Sequence, residues 1–175
     1  MVITSSNRIT LADMWLRQRD GVTCGPSVAV MAGALLDDEY GAPLKKEKAQ
    51  QWFAAEQGRV HRATNRVWPR ALGTTPAGMA RALTAHGRRY RWRTATPRDG
   101  LDDVCAAVKE GFPVAMLIGN ALPRHWVLLT EVDGQKVRCY EPGRGQLVDV
   151  TVRDIREARL KRLGFPRAYA FVLPR

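Results

Sequence analysis

Cysteine and histidine are scarce in this chain, with three of each in 175 residues. Cys24, Cys105 and Cys139 are an odd, sparse set without a CxxC pair, which excludes a disulfide framework. His61, His86 and His125 lack the spacing of metal ligands, so neither a structural zinc site nor any other metal or cofactor is expected. No apolar run is long enough to span a bilayer, and the first residues lack a basic-then-apolar signal pattern. The chain therefore reads as cytoplasmic, without a membrane partner. Acidic residues are also short, 17 against 28 Lys and Arg, giving a net charge of +11. That balance would attract polyanions or acidic peptides. The basic residues are mostly dispersed Arg, with local clusters at 88–93 and 153–162, and no nucleic-acid motif accompanies them. The charge is read as a solvated basic surface, with no specific nucleic-acid partner.

What is present fits one globular domain over residues 1–175, long enough to bury a core. Helical patterns fill roughly the first 110 residues, and strand patterns fill 111–175. Apolar positions from Val28 to Leu36 recur at helical spacing and predict a buried helix that begins at Cys24. Gly21 is read as the sharp turn before it, and Pro26 is tolerated in a first helical turn. Residues 44–57 predict a surface helix stopped by Gly58, and 59–74 an irregular basic stretch with Trp68-Pro69 inside it. Thr75 and Pro76 open another helix, with His86 a cap on its dipole. Residues 90–94 alternate as an edge strand, and 99–111 form a helix with Cys105 on its packing face. Residues 113–118 and 125–132 are buried strands. Asp133-Gly134 turns the second into 136–140, and 146–150 and 168–172 add strands around a helix at 154–163. Segregated helices and antiparallel strands give an α+β fold.

Chemistry gathers at three places. Cys24 sits where a helix N-terminus favours a thiolate over a thiol. Taken alone, a cysteine before an apolar helix is as readily a small buried hydrophobe. Gln18, across the turn, could fold its amide back beside the sulfur and donate to a developing oxyanion. His125 opens a strand, and Glu141 ends the partner strand of the same hairpin, so the two ends lie close together. A carboxylate there would fix one imidazole nitrogen and leave the other for sulfur, the nucleophile–base–orienter logic of a cysteine hydrolase. Trp126 beside the histidine is a candidate shield against water.

The joint pattern resembles the papain-like cysteine peptidases. More narrowly, it is similar to the bacteriocin-processing peptidases that trim double-glycine leaders. The resemblance rests on Gln18-x5-Cys24-Gly25-Pro26, on Gly111-Phe112-Pro113-Val114 leading into His125-Trp126-Val127-Leu128-Leu129, and on Val137-x-x-x-Glu141-Pro142. It spans residues 17–150 in order. It implies a papain-like fold and a peptide or protein substrate, with Cys24 as nucleophile, His125 as general base and Gln18 as oxyanion donor. It also implies a small residue on the substrate's acyl side. The family's acid before Pro142 is Asp, whereas this chain has Glu141. One extra methylene displaces a carboxylate by about 1.5 Å, and errors of that size can cost on the order of 10²-fold in rate. The leading expectation is a thiol hydrolase acting on a peptide or isopeptide bond through a thioester. The same residues would serve an acyl transferase or a transglutaminase-like deamidase. A non-catalytic peptide-binding relative is the third expectation, favoured by the Glu141 departure and the positive charge.

Overall fold

The computed structural model describes residues 16–64 and 73–175. Ile9, Leu11, Met14 and Trp15, which the sequence reads as a short apolar run leading to the turn before Cys24, and the Trp68-Pro69 pair lie outside the described residues. Helix α1 runs from Cys24 to Leu36, and every residue from Cys24 to Ala34 is buried. An all-round apolar helix has no solvent face to offer, so it becomes the centre of one packing layer. Val28, Val30 and Met31 are completely buried, and each such side chain contributes about 1.5–3 kcal/mol.

Around α1 lie α2 (Asp38–Gly41), a 3-10 turn (Ala42–Lys45), α3 (Ala49–Thr64) and α4 (Pro76–Thr84). The surface helix predicted for 44–57 is displaced. Leu44 is buried in the 3-10 turn, Lys46 is extended, and α3 begins at Ala49. It then passes through Gly58 without stopping. A mid-helix glycine costs about 1 kcal/mol relative to alanine. The buried stripe Phe53, Gln57, Val60 and His61 on both sides of Gly58 offsets that cost by packing against the rest of the layer. Helix α4 starts as its sequence predicts, with the Thr75 hydroxyl accepting from the Gly78 N–H. His86 does not serve as a simple dipole cap. Its ring lies on Gly33 of α1 and against Tyr40, with ring centroids 4.4 Å apart, and its Nδ1 faces Asp37 at 3.9 Å.

The sheet has six antiparallel strands: β1 (Tyr90–Thr94), β2 (Val114–Gly119), β3 (Pro123–Asp133), β4 (Lys136–Glu141), β5 (Gln146–Thr151) and β6 (Arg167–Pro174). Their order is β1-β6-β2-β3-β4-β5, so the last strand inserts between the first two. Alternation sends Ala115, Leu117, Trp126, Leu128, Tyr140, Ala170 and Val172 to the α1 side. Met116, Ile118, Val127, Leu129, Cys139, Phe171 and Leu173 face the other way, as a period of two requires. On that second face lie α5 (Asp102–Lys109) and α6 (Val152–Arg156). The helix predicted for 154–163 is broken: α6 ends at Arg156, Ala158 adopts φ 55, and a 3-10 turn follows at Lys161–Leu163. Among the described residues no helix is long and apolar enough to cross a membrane.

Candidate active site

Three chain segments meet at the N-terminus of α1. The turn that delivers Cys24 is built by Asp20 and Thr23, not by Gly21, whose φ is not in the left-handed region. Asp20 Oδ1 accepts from the Val22 N–H, and its backbone N–H and C=O both bond the Thr23 hydroxyl at 3.1 Å. The Thr23 side chain thus looks backwards along the chain and makes no capping bond to α1. The first N–H groups of the helix have no intrahelical acceptor, so they remain available to an anion at Cys24. Gly25 is required here by close approach: a Cβ would stand 2.4 Å from Thr74 Oγ1 and 3.2 Å from Trp126 Cδ1.

The second segment is the β3–β4 hairpin. Its loop is Gly134-Gln135, with Asp133 opposite Lys136 and Gly134 at φ 56, the left-handed backbone that favours glycine in two-residue hairpin loops. Near the loop Glu131 faces Arg138, but beyond a bulge Leu129 faces Cys139 and Leu128 faces Tyr140. The bulge decides the chemistry. Continuing the register past Leu128 and Tyr140 brings Glu141 opposite Val127, on the same face as His125 and diagonal to it. Without the bulge Glu141 would pair with Leu128 and point to the opposite face.

His125 Nε2 lies 2.7 Å from Glu141 Oε1, which leaves Nδ1 for another partner. Cys24 acts electrostatically on the same imidazole and favours its charged form. Burial would lower the His125 pKa, but Cys24 and the bond to Glu141 outweigh it and raise it to about 9. Burial would likewise raise Glu141. The His125 bond, the Gly143 N–H and Arg144 outweigh it and hold the carboxyl at about 2. The imidazole is therefore charged at neutral pH, as is the carboxylate. Phe165 covers the ring, centroids 5.9 Å apart. Trp126 is buried and donates from Nε1 to the Thr74 carbonyl at 2.9 Å, so it ties the start of α4 to the strand that carries His125.

The third segment carries Gln18. Its backbone N–H bonds the Pro142 carbonyl at 2.8 Å, the Tyr140 hydroxyl bonds the Leu16 carbonyl at 2.8 Å, and Arg17 Nε reaches the Gly143 carbonyl. These bonds stitch the segment before Cys24 directly to the turn after Glu141. Gln18 Nε2 gives one N–H to the Asp20 carbonyl at 2.5 Å, and its second N–H is unused by that bond. The buried Gln57 of α3 accepts from the Arg19 N–H at 2.9 Å and fixes the segment from below. Sequence reasoning missed Asp20, Thr23, Gln57, Thr74 and Arg144. For Gln57 the signal was present, since it falls on the helical stripe of Phe53 and His61. Of the other cysteines, Cys105 is half-buried against the second core and Cys139 is fully buried; all three are free.

No protein-family model matches the sequence, and no curated protein matches it. The fold has solved counterparts: the architecture is α+β and structurally similar to the papain-like cysteine peptidases. A double-glycine motif protease from an AMS/PCAT transporter, solved in complex with the leader peptide, superposes with a TM-score of 0.50 at 16% identity, covering 97% of this chain and 94% of that one. The Pseudomonas avirulence protein AvrPphB matches with a TM-score of 0.47 at 11% identity, over 94% of this chain and 98% of its own.

Proposed function

We propose that this chain is a cysteine peptidase-like hydrolase with Cys24 as nucleophile, His125 as proton carrier, Glu141 as orienter and Gln18 as oxyanion donor. The observation that carries the reading is the imidazole of His125, bonded through Nε2 to a buried carboxylate, with a cysteine at a helix N-terminus acting on it electrostatically.

Cys24 Sγ attacks the peptide carbonyl carbon. The C–S bond forms as the carbonyl π pair moves onto oxygen, where Gln18 Nε2 and the Cys24 N–H receive it. The oxyanion collapses, and the C–N bond breaks as the amine takes a proton from the His125 imidazolium. Water then attacks the thioester and gives its proton to His125, and the C–S bond breaks to restore the sulfur. A histidine held at about 9 enters this cycle as the imidazolium, so its first task is to protonate the leaving amine. The substrate is a peptide or protein segment. Acidic residues beside its scissile bond are favoured by the chain's net charge of +11 and by Arg17 and Arg144 around the Glu141 turn.

Iodoacetamide alkylation followed by intact mass, then digestion of a peptide library, tests the reading. Cys24 is expected to react at neutral pH faster than Cys105, whose thiol is pushed up by burial, and Cys24→Ala is expected to abolish cleavage. Product masses sort the chemistry: hydrolysis adds water, deamidation turns an amide into an acid, and transfer joins two partners. A Cys24 that reacts no faster than the same thiol in the unfolded chain, with no product in any class, removes the enzymatic reading.

A further inference from the structure

We propose that Arg144 is a positioning residue which, with the backbone of its own turn, restricts position 141 to a carboxylate and holds it on His125. The proposal rests on the peptidase reading only for its consequence in activity.

The buried side chain of Glu141 is met by donors alone. Oε1 accepts from His125 Nε2 and from the Gly143 N–H, both at 2.7 Å. Oε2 accepts from the Arg144 N–H at 2.9 Å and from Arg144 Nε at 3.2 Å. Arg144 is anchored in turn, with its other guanidinium edge donating to the Arg162 carbonyl at 2.7 Å. A Cβ on Gly143 would stand 2.8 Å from Oε1, so the turn closes on the carboxylate without a spare gap. An ionised carboxylate accepts at both oxygens and suits four donors. A glutamine would set its own NH₂ against the Arg144 N–H and guanidinium, or against His125. An aspartate is shorter by about 1.5 Å and could keep the turn or the imidazole but not both. The additional methylene is thus absorbed by the side chain curling onto its own turn.

The charged and polar groups around the pair are few. Cys24 faces the imidazole from α1, and Phe165 offers only its ring. From β4 the Tyr140 hydroxyl is committed to the Leu16 carbonyl, and Arg17 is turned to the Gly143 carbonyl. Among the described residues, Arg144 is the cation in direct contact with Glu141 besides His125 itself.

The test is an NMR titration of the His125 imidazole in the full chain, paired with the rate at which iodoacetamide alkylates Cys24 at neutral pH. Wild type, Arg144→Ala, Arg144→Lys and Glu141→Gln are compared. Arg144→Ala should lower the imidazole midpoint by about one pH unit and slow alkylation about tenfold. Arg144→Lys should recover much of the midpoint, because its ammonium again donates to Glu141 Oε2 and holds the carboxylate on the imidazole, without the fork. Glu141→Gln should lower the midpoint further than Arg144→Ala. Arg144 is half-exposed, so both of its variants should fold. An unmoved midpoint in Arg144→Ala overturns the proposal, as does slowed alkylation that Lys does not rescue. A midpoint that moves as expected, in a protein whose wild type cleaves nothing, leaves the clamp standing and removes the peptidase reading instead.

Discussion

On one face of the sheet, α1, α3 and α4 bury Thr23, Ser27, Gln57, His61 and Thr74 among their apolar side chains. On the other face, α5 and α6 close over Met116, Ile118, Val127, Leu129, Phe171 and Leu173, an aliphatic and aromatic core. The first face also carries two α1 glycines, Gly25 and Gly33, with no room for a Cβ. The Thr74 hydroxyl there is buried without a hydrogen-bond partner among the described residues. Buried polar groups and forced glycines cost stability that an ordinary core avoids. They are concentrated on the face that presents Cys24 to His125. The second face supplies the stability on which the first can draw.

Removing an anchor of the second face should separate the two roles most widely. Phe171 is fully buried, with the Arg93 guanidinium 5.0 Å above its ring. Phe171→Ala should cost about 3–5 kcal/mol in denaturant unfolding. The alkylation rate of Cys24, measured well below the unfolding midpoint, should stay at the wild-type value. A fall in that rate would mean the faces are not independent.

Charge separates the His125–Glu141 pair from the other ion pairs next. Since the His125 pKa is raised from its ordinary 6.5 to about 9, its contribution to stability is fully present below pH 6.5 and is lost as pH rises through 9. Glu141 is lowered from 4.5 to about 2, so its contribution is present above pH 4.5 and is lost as pH falls through 2. The two shifts describe one interaction and count once, on the order of 3 kcal/mol. On the second face Asp99 and Asp103 are also held low. For Asp99 burial opposes the shift and the Arg93 bond outweighs it; for Asp103 the Arg93 bond is the leading cause. Those groups lose their contribution only in acid. Alkaline loss of stability between pH 6.5 and 9 should therefore belong to the His125–Glu141 pair and vanish in His125→Gln. Urea unfolding across that range checks it.

The sequence read the individual parts better than their meeting. The apolar run from Val28, the Thr75-Pro76 helix start and the strand at 113–118 are local patterns, and local patterns survive folding. Glycine is the visible turn signal before Cys24, yet Asp20 and Thr23 build that turn with side-chain bonds. Asp133-Gly134 marks the hairpin, but the loop lies one residue later, and nothing in the residues 129–131 announces a bulge. That bulge sets which face Glu141 takes. Gly58 failed as a stop because burial of its neighbours outweighs its local preference. The insertion of β6 between β1 and β2 is a long-range pairing with no local signature.

Packing at the head of α1 gives a smaller, sharper contrast. Gly25→Ala places a methyl 2.4 Å from Thr74 Oγ1 and 2.6 Å from its Cβ. Overpacking of this kind costs about 1–3 kcal/mol. Unlike Phe171→Ala, it should also slow Cys24 alkylation, because the displaced groups are those that set the first turn of α1. The double variant Gly25→Ala/Thr74→Gly should recover part of both losses. Recovery of stability without recovery of rate would place the effect in Trp126, whose Cδ1 is the remaining close neighbour at 3.2 Å.

The smallest expected effect tests how far the first face reaches. Thr75 caps α4 through one bond to the Gly78 N–H at 3.1 Å, and Thr75→Ala should cost about 1 kcal/mol. Elsewhere such a loss would be silent at the site. Here the preceding carbonyl, that of Thr74, accepts from Trp126 Nε1, and Trp126 adjoins His125 on β3. Fraying the start of α4 loosens that carbonyl and with it the indole over Gly25. Thermal unfolding should therefore show the modest loss, while Cys24 alkylation changes measurably in the same variant. The contrasting change lies in the cap of α6, where Thr151 accepts from the Asp154 N–H at 3.0 Å on the far side of the sheet. Thr151→Ala should cost a similar amount and leave the alkylation rate where it was. Equal effects of the two caps on that rate would mean that the indole link to α4 carries no influence on Cys24.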